Sequence, residues 1–340
     1  MPESLRAAFT GVDGVFAMTT PLLRPGYELR IDLEVTHGHA IADAAAAASV
    51  PHVVYSSVGG AERHTGIPHF DSKRDIEEYL VAQGLSTTFV RPVFFMDNFA
   101  LFAPPTMEDG KLVVRLPLPP GIPLQMITAD DIGAVAAAAV LDPDRVTGGS
   151  IEIAGDELTG EQIAEAYQHR YDVPARYEPL PIEVLGGDVD QRAMFEWYAH
   201  LPAFQADFAA TRALAPGTKT FEQWLATRPI CEAWFKRRPR EWSRSHQIRA
   251  TRAGRDRLER RLRAQRWQHP QRHARFTPGR HRQHVHDWYR ARALADRARR
   301  GPGRRLSTRS WKTTAPADGE RPVDVAGVFP ERQSDLAGRS

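Results

Sequence analysis

The fold is decided by residues 51–98, with the sequence PHVVYSSVGGAERHTGIPHFDSKRDIEEYLVAQGLSTTFVRPVFFMDN. The first run, PHVVYSS at 51–57, is rich in β-forming residues and ends in two hydroxyl side chains. From Pro68 the apolar residues recur at helical spacing, and Gly84 is placed to end that helix. A second β-rich run, LSTTFVR at 85–91, follows directly. Strand, helix and strand with short connections predict a βαβ unit of a parallel sheet.

Polar side chains collect at the carboxyl ends of these two strands. In open parallel sheets the ligand crevice lies at that edge, where Ser56, Ser57 and the loop 92–98 fall. His69 and Lys73 share one face of the first helical turns because they are four positions apart. An imidazole and an ammonium beside two hydroxyls make a plausible proton relay. The alternative is a solvated helix start, since polar pairs at this spacing are common on helix surfaces.

Two elements are predicted before this unit. The apolar run VDGVFAM at 12–18 has the length and composition of a buried parallel strand. Residues 31–48 contain a long alanine run and predict a helix, with Leu33 and Ile41 facing the sheet.

The part of the chain after this unit, residues 99–228, mixes short β pieces with amphipathic helices. Thr128 is placed to cap one helix, and Thr159 with Gln162 forms the pattern of a capping box. We predict that these residues form a small α+β substrate lid over the carboxyl edge of the sheet.

Charge divides the chain near Arg228. Residues 1–228 contain 16 Lys and Arg against 31 Asp and Glu, whereas residues 229–340 contain 29 against 11. The single cysteine, Cys231, excludes internal disulfides and is compatible with a reducing compartment, so a cytoplasmic location is expected. No apolar run approaches the length of a membrane span, and the N-terminus lacks a signal-peptide core.

Several segments resemble the NmrA-like family, a branch of the atypical short-chain dehydrogenases. In chain order they are GVDGVFAMT (11–19), VVYSS (53–57), HFDSK (69–73), VRPVFFMDN (90–98) and FEQWL (221–225). Their order and spacing together are specific, and the resemblance covers roughly residues 1–228. It implies a doubly wound, Rossmann-like parallel sheet that binds NAD(P), with NADP preferred to NAD.

The resemblance also implies residue roles. In the parent superfamily a tyrosine is the acid, and a lysine four residues later holds the nicotinamide ribose. Lys73 occupies the lysine position, while His69 stands in place of the tyrosine, and Ser56 is the third candidate catalytic residue. The expected cofactor contacts are Met18, Thr19, Thr20, Tyr55, Ser56, Ser57, Lys73, Pro92, Val93, Phe94 and Phe95. The strand pattern also permits Tyr55 to be a packed strand residue.

The glycine-rich turn that holds the pyrophosphate in such folds is missing from residues 1–228. By the resemblance, strands and helices that precede the 12–18 strand in the family are absent, so the doubly wound fold is expected to be incomplete and N-terminally truncated. The 12–18 strand would then be an exposed apolar edge, and we predict poor NAD(P) binding. Arg24 and Arg30 are candidates to meet the phosphates.

The extension at 229–340 contains 27 arginines and only two lysines, without helical or strand periodicity. It is predicted to be disordered, because so charged a segment cannot bury enough apolar area to fold. A non-functional or out-of-frame origin fits this composition. Nucleic-acid binding through Trp267, Trp288 and Tyr289 is an unfavoured alternative, and no metal site is expected from His281, His284 and His286.

Two functions follow from these observations. In the first, the protein is an NAD(P)H-dependent oxidoreductase of a small organic substrate, with Lys73 on the ribose and His69 or Ser56 supplying the proton. In the second, it is a non-catalytic NAD(P)-sensing regulator that binds a protein partner, or an inactive truncated form. No membrane partner is expected. Catalysis requires a proton donor in reach of the substrate, whereas sensing requires only a change of shape on binding the cofactor.

Overall fold

The computed structural model describes residues 2–21, 29–228, 306–312 and 324–330. The helices are α1 (Pro2–Phe9), α2 (Ile31–Ala47), α3 (Pro68–Ala82), α4 (Asn98–Leu101), α5 (Ala129–Leu141), α6 (Gly160–Tyr171), α7 (Val189–Ala199), α8 (Phe208–Leu214) and α9 (Phe221–Thr227). The strands are β1 (Gly14–Met18), β2 (Val53–Ser56), β3 (Thr87–Pro92), β4 (Phe94–Phe95), β5 (Thr106–Glu108), β6 (Lys111–Val114), β7 (Leu124–Ile127), β8 (Ser150–Ile153), β9 (Asp156–Leu158), β10 (Ala175–Tyr177), β11 (Leu306–Lys312) and β12 (Asp324–Pro330).

The predicted βαβ unit is β2, α3 and β3. Strands β2 and β3 pair in parallel, with Val53 opposite Thr87 and Ser56 opposite Val90. Pro68 opens α3, where its missing N–H costs nothing, and Gly84 follows the end of the helix. Strand β1 joins in parallel on the other side of β2, as the doubly wound arrangement requires.

The central sheet has the order β11-β12-β1-β2-β3-β8. All of its pairs are parallel except β11 with β12. Strand β8 pairs with β3, so part of the region assigned to the lid belongs to the main sheet instead. The sequence did not reveal that β8 belongs to the main sheet, because this strand is short and follows a helix and two turns. A separate domain could begin with the same pattern.

Strand β12 corrects the expectation that β1 is an exposed apolar edge. It pairs in parallel with β1, with Gly14 opposite Val325 and Ala17 opposite Val328, so the apolar edge of β1 is covered. Strands β11 and β12 lie within the extension at 229–340. The rest of the extension lies outside the described residues, so its expected disorder stays a prediction. The arginine-rich composition of the whole extension concealed the short run DVAGVFP at 324–330. The structure does not describe the residues of the extension that were considered for nucleic-acid binding (Trp267, Trp288 and Tyr289) or for a metal site (His281, His284 and His286).

Apolar side chains fill both faces of the central sheet. On one face α1, α2 and α3 cover a cluster that includes Val15, Ile41 and Tyr55. Helix α2 approaches α3 closely at Gly38, where an added Cβ would lie 2.4 Å from the Ile76 side chain. The opposite face packs against α5 and the lid in a larger cluster that includes Val54 and Phe94.

The lid contains two small sheets, β10-β6-β5 and β4-β7-β9, together with helices α6 to α9. The predicted caps at Thr128 and Thr159 are confirmed, the second as a complete capping box with Gln162. Thr220 forms a further capping box at the start of α9. In the part of the chain that the structure describes, every helix is too short or too polar to span a membrane.

Candidate active site

Lys73 lies at the carboxyl edge of the sheet as part of a buried ion pair. Its Nζ donates to Glu34 Oε1 at 2.9 Å and to the backbone oxygen of Thr19 at 3.1 Å. The Thr19 hydroxyl is 3.5 Å from Nζ, at the outer limit of a hydrogen bond. The Tyr55 side chain also hydrogen-bonds to this ammonium. The Lys73 side chain is 11% exposed at the carboxyl edge.

Glu34, from α2, is the fully buried partner of Lys73. Besides the ammonium, its carboxylate accepts from the Thr19 hydroxyl at 2.9 Å and from the Ser72 hydroxyl at 2.6 Å. A buried carboxylate is tolerated when it is paired and fully hydrogen-bonded, as this one is. The helical pattern placed Leu33 against the sheet, yet Leu33 is half-buried and Glu34 takes the interior position. Glu34 was therefore not identified from the sequence.

Tyr55 completes this cluster from β2. It is fully buried, and its hydroxyl lies 2.7 Å from the Thr19 hydroxyl. Burial, partly offset by the Lys73 ammonium, raises the pKa of Tyr55 to about 12, so the phenol stays neutral. Burial alone would lower the pKa of Lys73, but Glu34 and Tyr55 raise it above its ordinary value. The cluster thus keeps the ammonium charged through the neutral range, and Tyr55 serves it as a packed strand residue.

His69 forms a second charged contact, with Asp190 from α7. The imidazole Nδ1 is 2.8 Å from Asp190 Oδ1 and 2.7 Å from Oδ2. The backbone N–H of His69 also donates to Asp190 Oδ1, at 2.9 Å. Asp190 is buried, whereas the His69 side chain is 19% exposed. The sequence offered no signal for Asp190, because it lies 121 positions from its partner.

The two serines at the end of β2 are buried but stand apart from both charged contacts. Among the described residues, no hydrogen bond joins Ser56 or Ser57 to Lys73 or His69. The Ser57 Oγ atom is buried and has no hydrogen-bond partner in the described structure. An unsatisfied buried hydroxyl costs free energy.

The remaining predicted cofactor contacts differ in accessibility. Val93 and Phe94 are buried in the larger core cluster, where Phe94 packs edge-on against Phe99 and Tyr198. Pro92 is also buried, and its carbonyl accepts from Gly59 at 2.9 Å. The half-buried residues of the predicted set are Met18, Thr20 and Phe95. Those three side chains and Lys73 are therefore the most exposed of the expected contacts.

Paired charges hold the turn after β2 against the sheet. Arg91, near the end of β3, binds Glu77 of α3 through two hydrogen bonds of 2.9 and 2.7 Å and also contacts Glu62 at 3.0 Å. Arg63 binds Glu152 of β8 through two hydrogen bonds of 2.9 and 3.1 Å. These forked pairs fix the geometry of the carboxyl edge.

Aromatic lid residues cover the same turn. Trp197 of α7 lies against Gly60, where an added Cβ would be only 2.9 Å from the indole. Gly60 also has φ of +86°, a conformation that favours glycine. Trp197 packs edge-on against Phe70 and Phe204. Helix α7 is thus docked onto the site by an aromatic contact as well as by Asp190.

Within the described ranges, no group of three or more His, Cys, Asp or Glu side chains is arranged to hold a metal ion. The donors that are present suit a nucleoside instead. A ribose hydroxyl could accept a hydrogen bond from Lys73 in place of the 3.5 Å contact with the Thr19 hydroxyl, and a polar group of the nicotinamide end could satisfy Ser57 Oγ. These residues fit the nicotinamide half of a dinucleotide.

The described residues offer fewer groups that could bind the phosphates of the dinucleotide. Arg30, one of the arginines considered for the phosphates, binds Asp32 through hydrogen bonds of 2.9 and 2.6 Å, and Arg24 lies outside the described residues. Among the described elements, no glycine-rich turn joins a strand to a helix before β1.

Comparisons with known proteins agree with the sequence resemblance. The NmrA-like family model matches residues 2–225. The chain is 30% identical to an NAD(P)H azoreductase of Xenophilus azovorans over 182 residues, which are 54% of this chain and 59% of that protein. It is 30% identical over 249 residues to (4-alkanoyl-5-oxo-2,5-dihydrofuran-3-yl)methyl phosphate reductase of Streptomyces griseus, covering 72% of this chain and 79% of that one.

Solved structures show the same fold. The crystal structure of NmrA, a negative transcriptional regulator, in complex with NAD matches with a TM-score of 0.54 and 22% identity. That match covers 66% of this chain and 76% of the NmrA chain. Against the first three curated relatives, by contrast, the chain spans between 33% and 59% of their length.

Proposed function

The chain belongs to the NmrA-like family, and on that premise we propose that it is an NAD(P)H-dependent reductase of a small organic substrate. The observation that supports this most directly is Lys73, a charged and largely buried ammonium that is held in place at the carboxyl edge. In a solvated helix start, Lys73 would be exposed and free to move. Here two short hydrogen bonds fix its position, as a cofactor ligand requires.

Each residue of the site has a distinct part in this proposal. Lys73 would hold the nicotinamide ribose, and Ser57 would bind the nicotinamide end through its unsatisfied hydroxyl. His69 would deliver a proton to the substrate. When bound, the reduced nicotinamide would supply the hydride, and the aromatic lid around Trp197 would exclude water from the transfer.

The test is a titration with NADPH and NADH followed by nicotinamide fluorescence. We expect Lys73→Met to weaken NADPH binding by about 10- to 100-fold, since a hydrogen bond from a charged group is worth about 1.5–3 kcal/mol. Lys111→Met is the matched control, because Lys111 is exposed on β6, away from the sheet edge. Equal affinities for the two variants would remove Lys73 from the binding site and with it the main support for the proposal.

The second candidate is a cofactor-sensing regulator, and the histidine at position 69 favours it. The tyrosine that acts as the acid in the parent superfamily is absent there, and the NmrA structure similar to this chain is that of a regulator. The two functions differ in one measurable respect. NADPH binding without oxidation in the presence of quinone or azo-dye acceptors would favour the regulator, whereas acceptor-dependent oxidation would favour the reductase.

A further inference from the structure

Asp190 and His69 join the lid to the helix that bears Lys73. Asp190 lies in the first turn of α7, and His69 lies in the first turn of α3. The Asp190 carboxylate accepts from the His69 backbone N–H and lies within 2.8 Å of Nδ1 through both oxygens. The contact is long-range in sequence, so it forms only when α7 is docked against the sheet domain.

The contact specifies which imidazole nitrogen is bound. An ionised carboxylate can only accept hydrogen bonds, so Nδ1 must hold a hydrogen and donate it to Asp190. Among the described residues, none hydrogen-bonds to Nε2. The imidazole is therefore held with Nδ1 toward the lid and Nε2 available, the orientation of a general acid–base histidine supported by a carboxylate.

A purely structural role would explain only part of this geometry. The backbone N–H of His69 is one of the amides left unpaired at the start of α3, and Asp190 caps it from another helix. Capping the backbone N–H requires only one carboxylate oxygen and does not involve the imidazole ring. The additional contact with Nδ1, made by a buried carboxylate on a partly exposed ring, is what a positioning role requires.

We propose that Asp190 is the positioning residue that fixes His69 for proton transfer through Nε2, so that docking of α7 completes the active site. This inference rests on the proposed reductase function. Protonated His69 releases the Nε2 proton to a substrate oxygen or nitrogen, while the atom bonded to that heteroatom receives a hydride from reduced NAD(P). The imidazole is left neutral, with its Nδ1–H still donated to Asp190, and regains a proton from water.

The tautomer can be measured without cofactor or substrate. In the full chain labelled with 15N-histidine, we expect the two ring nitrogens of neutral His69 to show the Nδ1–H form. In Asp190→Asn the amide oxygen can still accept the backbone N–H while its NH2 group donates to Nδ1, so the Nε2–H form should replace it. Asp188→Asn is the matched control, because Asp188 caps α7 two residues away and does not contact His69.

A second experiment measures the rate of NADPH oxidation with benzoquinone as the acceptor. We expect Asp190→Asn and His69→Gln each to lower kcat by about 100-fold or more while KM changes little, and the double variant to lose no more than His69→Gln alone. Urea unfolding should show similar midpoints for the Asp190→Asn and Asp188→Asn variants.

The outcomes separate the two proposals. An unchanged tautomer in Asp190→Asn, or an unchanged kcat in an active enzyme, would overturn the role of Asp190 and leave the reductase function standing. A chain that oxidises no NADPH with any acceptor, yet shows the Asp190-dependent tautomer, would retain the positioning of His69 and refute the reductase function.

Discussion

Removing either partner of the Glu34–Lys73 pair should destabilise the protein, because it leaves the other charged group buried and unpaired. We expect Glu34→Gln to leave the ammonium of Lys73 buried, with only 11% of its side chain exposed and its charged partner removed. Three hydrogen bonds end on the Glu34 carboxylate, from Lys73, Thr19 and Ser72. A glutamine can accept at only one of its two terminal atoms, so at least one of these donors loses its acceptor.

The expected cost follows from this geometry. Removing one partner of a buried ion pair costs about 3–5 kcal/mol, and the partial exposure of Lys73 places Glu34→Gln near 3 kcal/mol. Lys73→Met should cost about as much or more, because Glu34 is fully buried and cannot reach water. The double variant should cost less than the sum of the two singles by about 2 kcal/mol, since no unpaired charge remains.

Urea unfolding at pH 7, followed by circular dichroism, gives the free energies of unfolding of the unsubstituted protein, the two single variants and the double variant. Together these four values form a double-mutant cycle. Glu78→Gln provides the control for the charge change, because Glu78 pairs with Arg74 on the exposed surface of α3. That control should cost less than about 1 kcal/mol. Additivity of the two single variants within about 0.5 kcal/mol would refute the reasoning, because it would mean that the two side chains do not interact.

Three further predictions concern the packing of the sheet domain. Gly38→Ala should destabilise the protein by about 1–3 kcal/mol, because the new Cβ would lie 2.4 Å from Ile76, and Ile76→Val in the same chain should recover part of the loss in urea unfolding. Burial raises the pKa of Tyr55 to about 12, so the contribution of its neutral phenol to the free energy of unfolding is complete below the ordinary pKa near 10 and is lost as the pH rises toward 12. Tyr55→Phe should therefore reduce the loss of stability at alkaline pH, and an unchanged pH dependence of stability would contradict the raised pKa. Truncation after Arg228 removes β12 from the edge of β1 and should increase aggregation in light scattering, whereas equal solubility of the two forms would show that the edge pairing contributes nothing.

The βαβ unit could be predicted because its signals are local. Pro68 at the first helical position, Gly84 after the helix and the β-rich runs on either side each act within a few residues, and the structure reproduces all of them. The caps at Thr128 and Thr159 were predictable for the same reason, since a cap binds amides two or three positions away.

The pairing of β12 with β1 could not be predicted in this way. Its apolar run is short, and it lies far along the chain in a region whose average composition indicates disorder. A strand gains most of its stability from its neighbours in the sheet, so a short segment gives little sign of its partner in its own sequence.

The two carboxylates missed from the sequence explain how the predicted residues can act. Lys73 and His69 were identified by their position on one helix face, but that pattern also fits a solvated helix start. Glu34 approaches the first turns of α3 from the sheet domain, and Asp190 approaches them from the lid. Glu34 accepts one N–H of Lys73, and the Thr19 carbonyl accepts a second. Asp190 accepts from Nδ1 of His69. Among the described residues Nε2 of His69 has no hydrogen-bond partner, so it remains for a ligand. A site that holds its reacting groups in place before the substrate arrives requires such supporting partners.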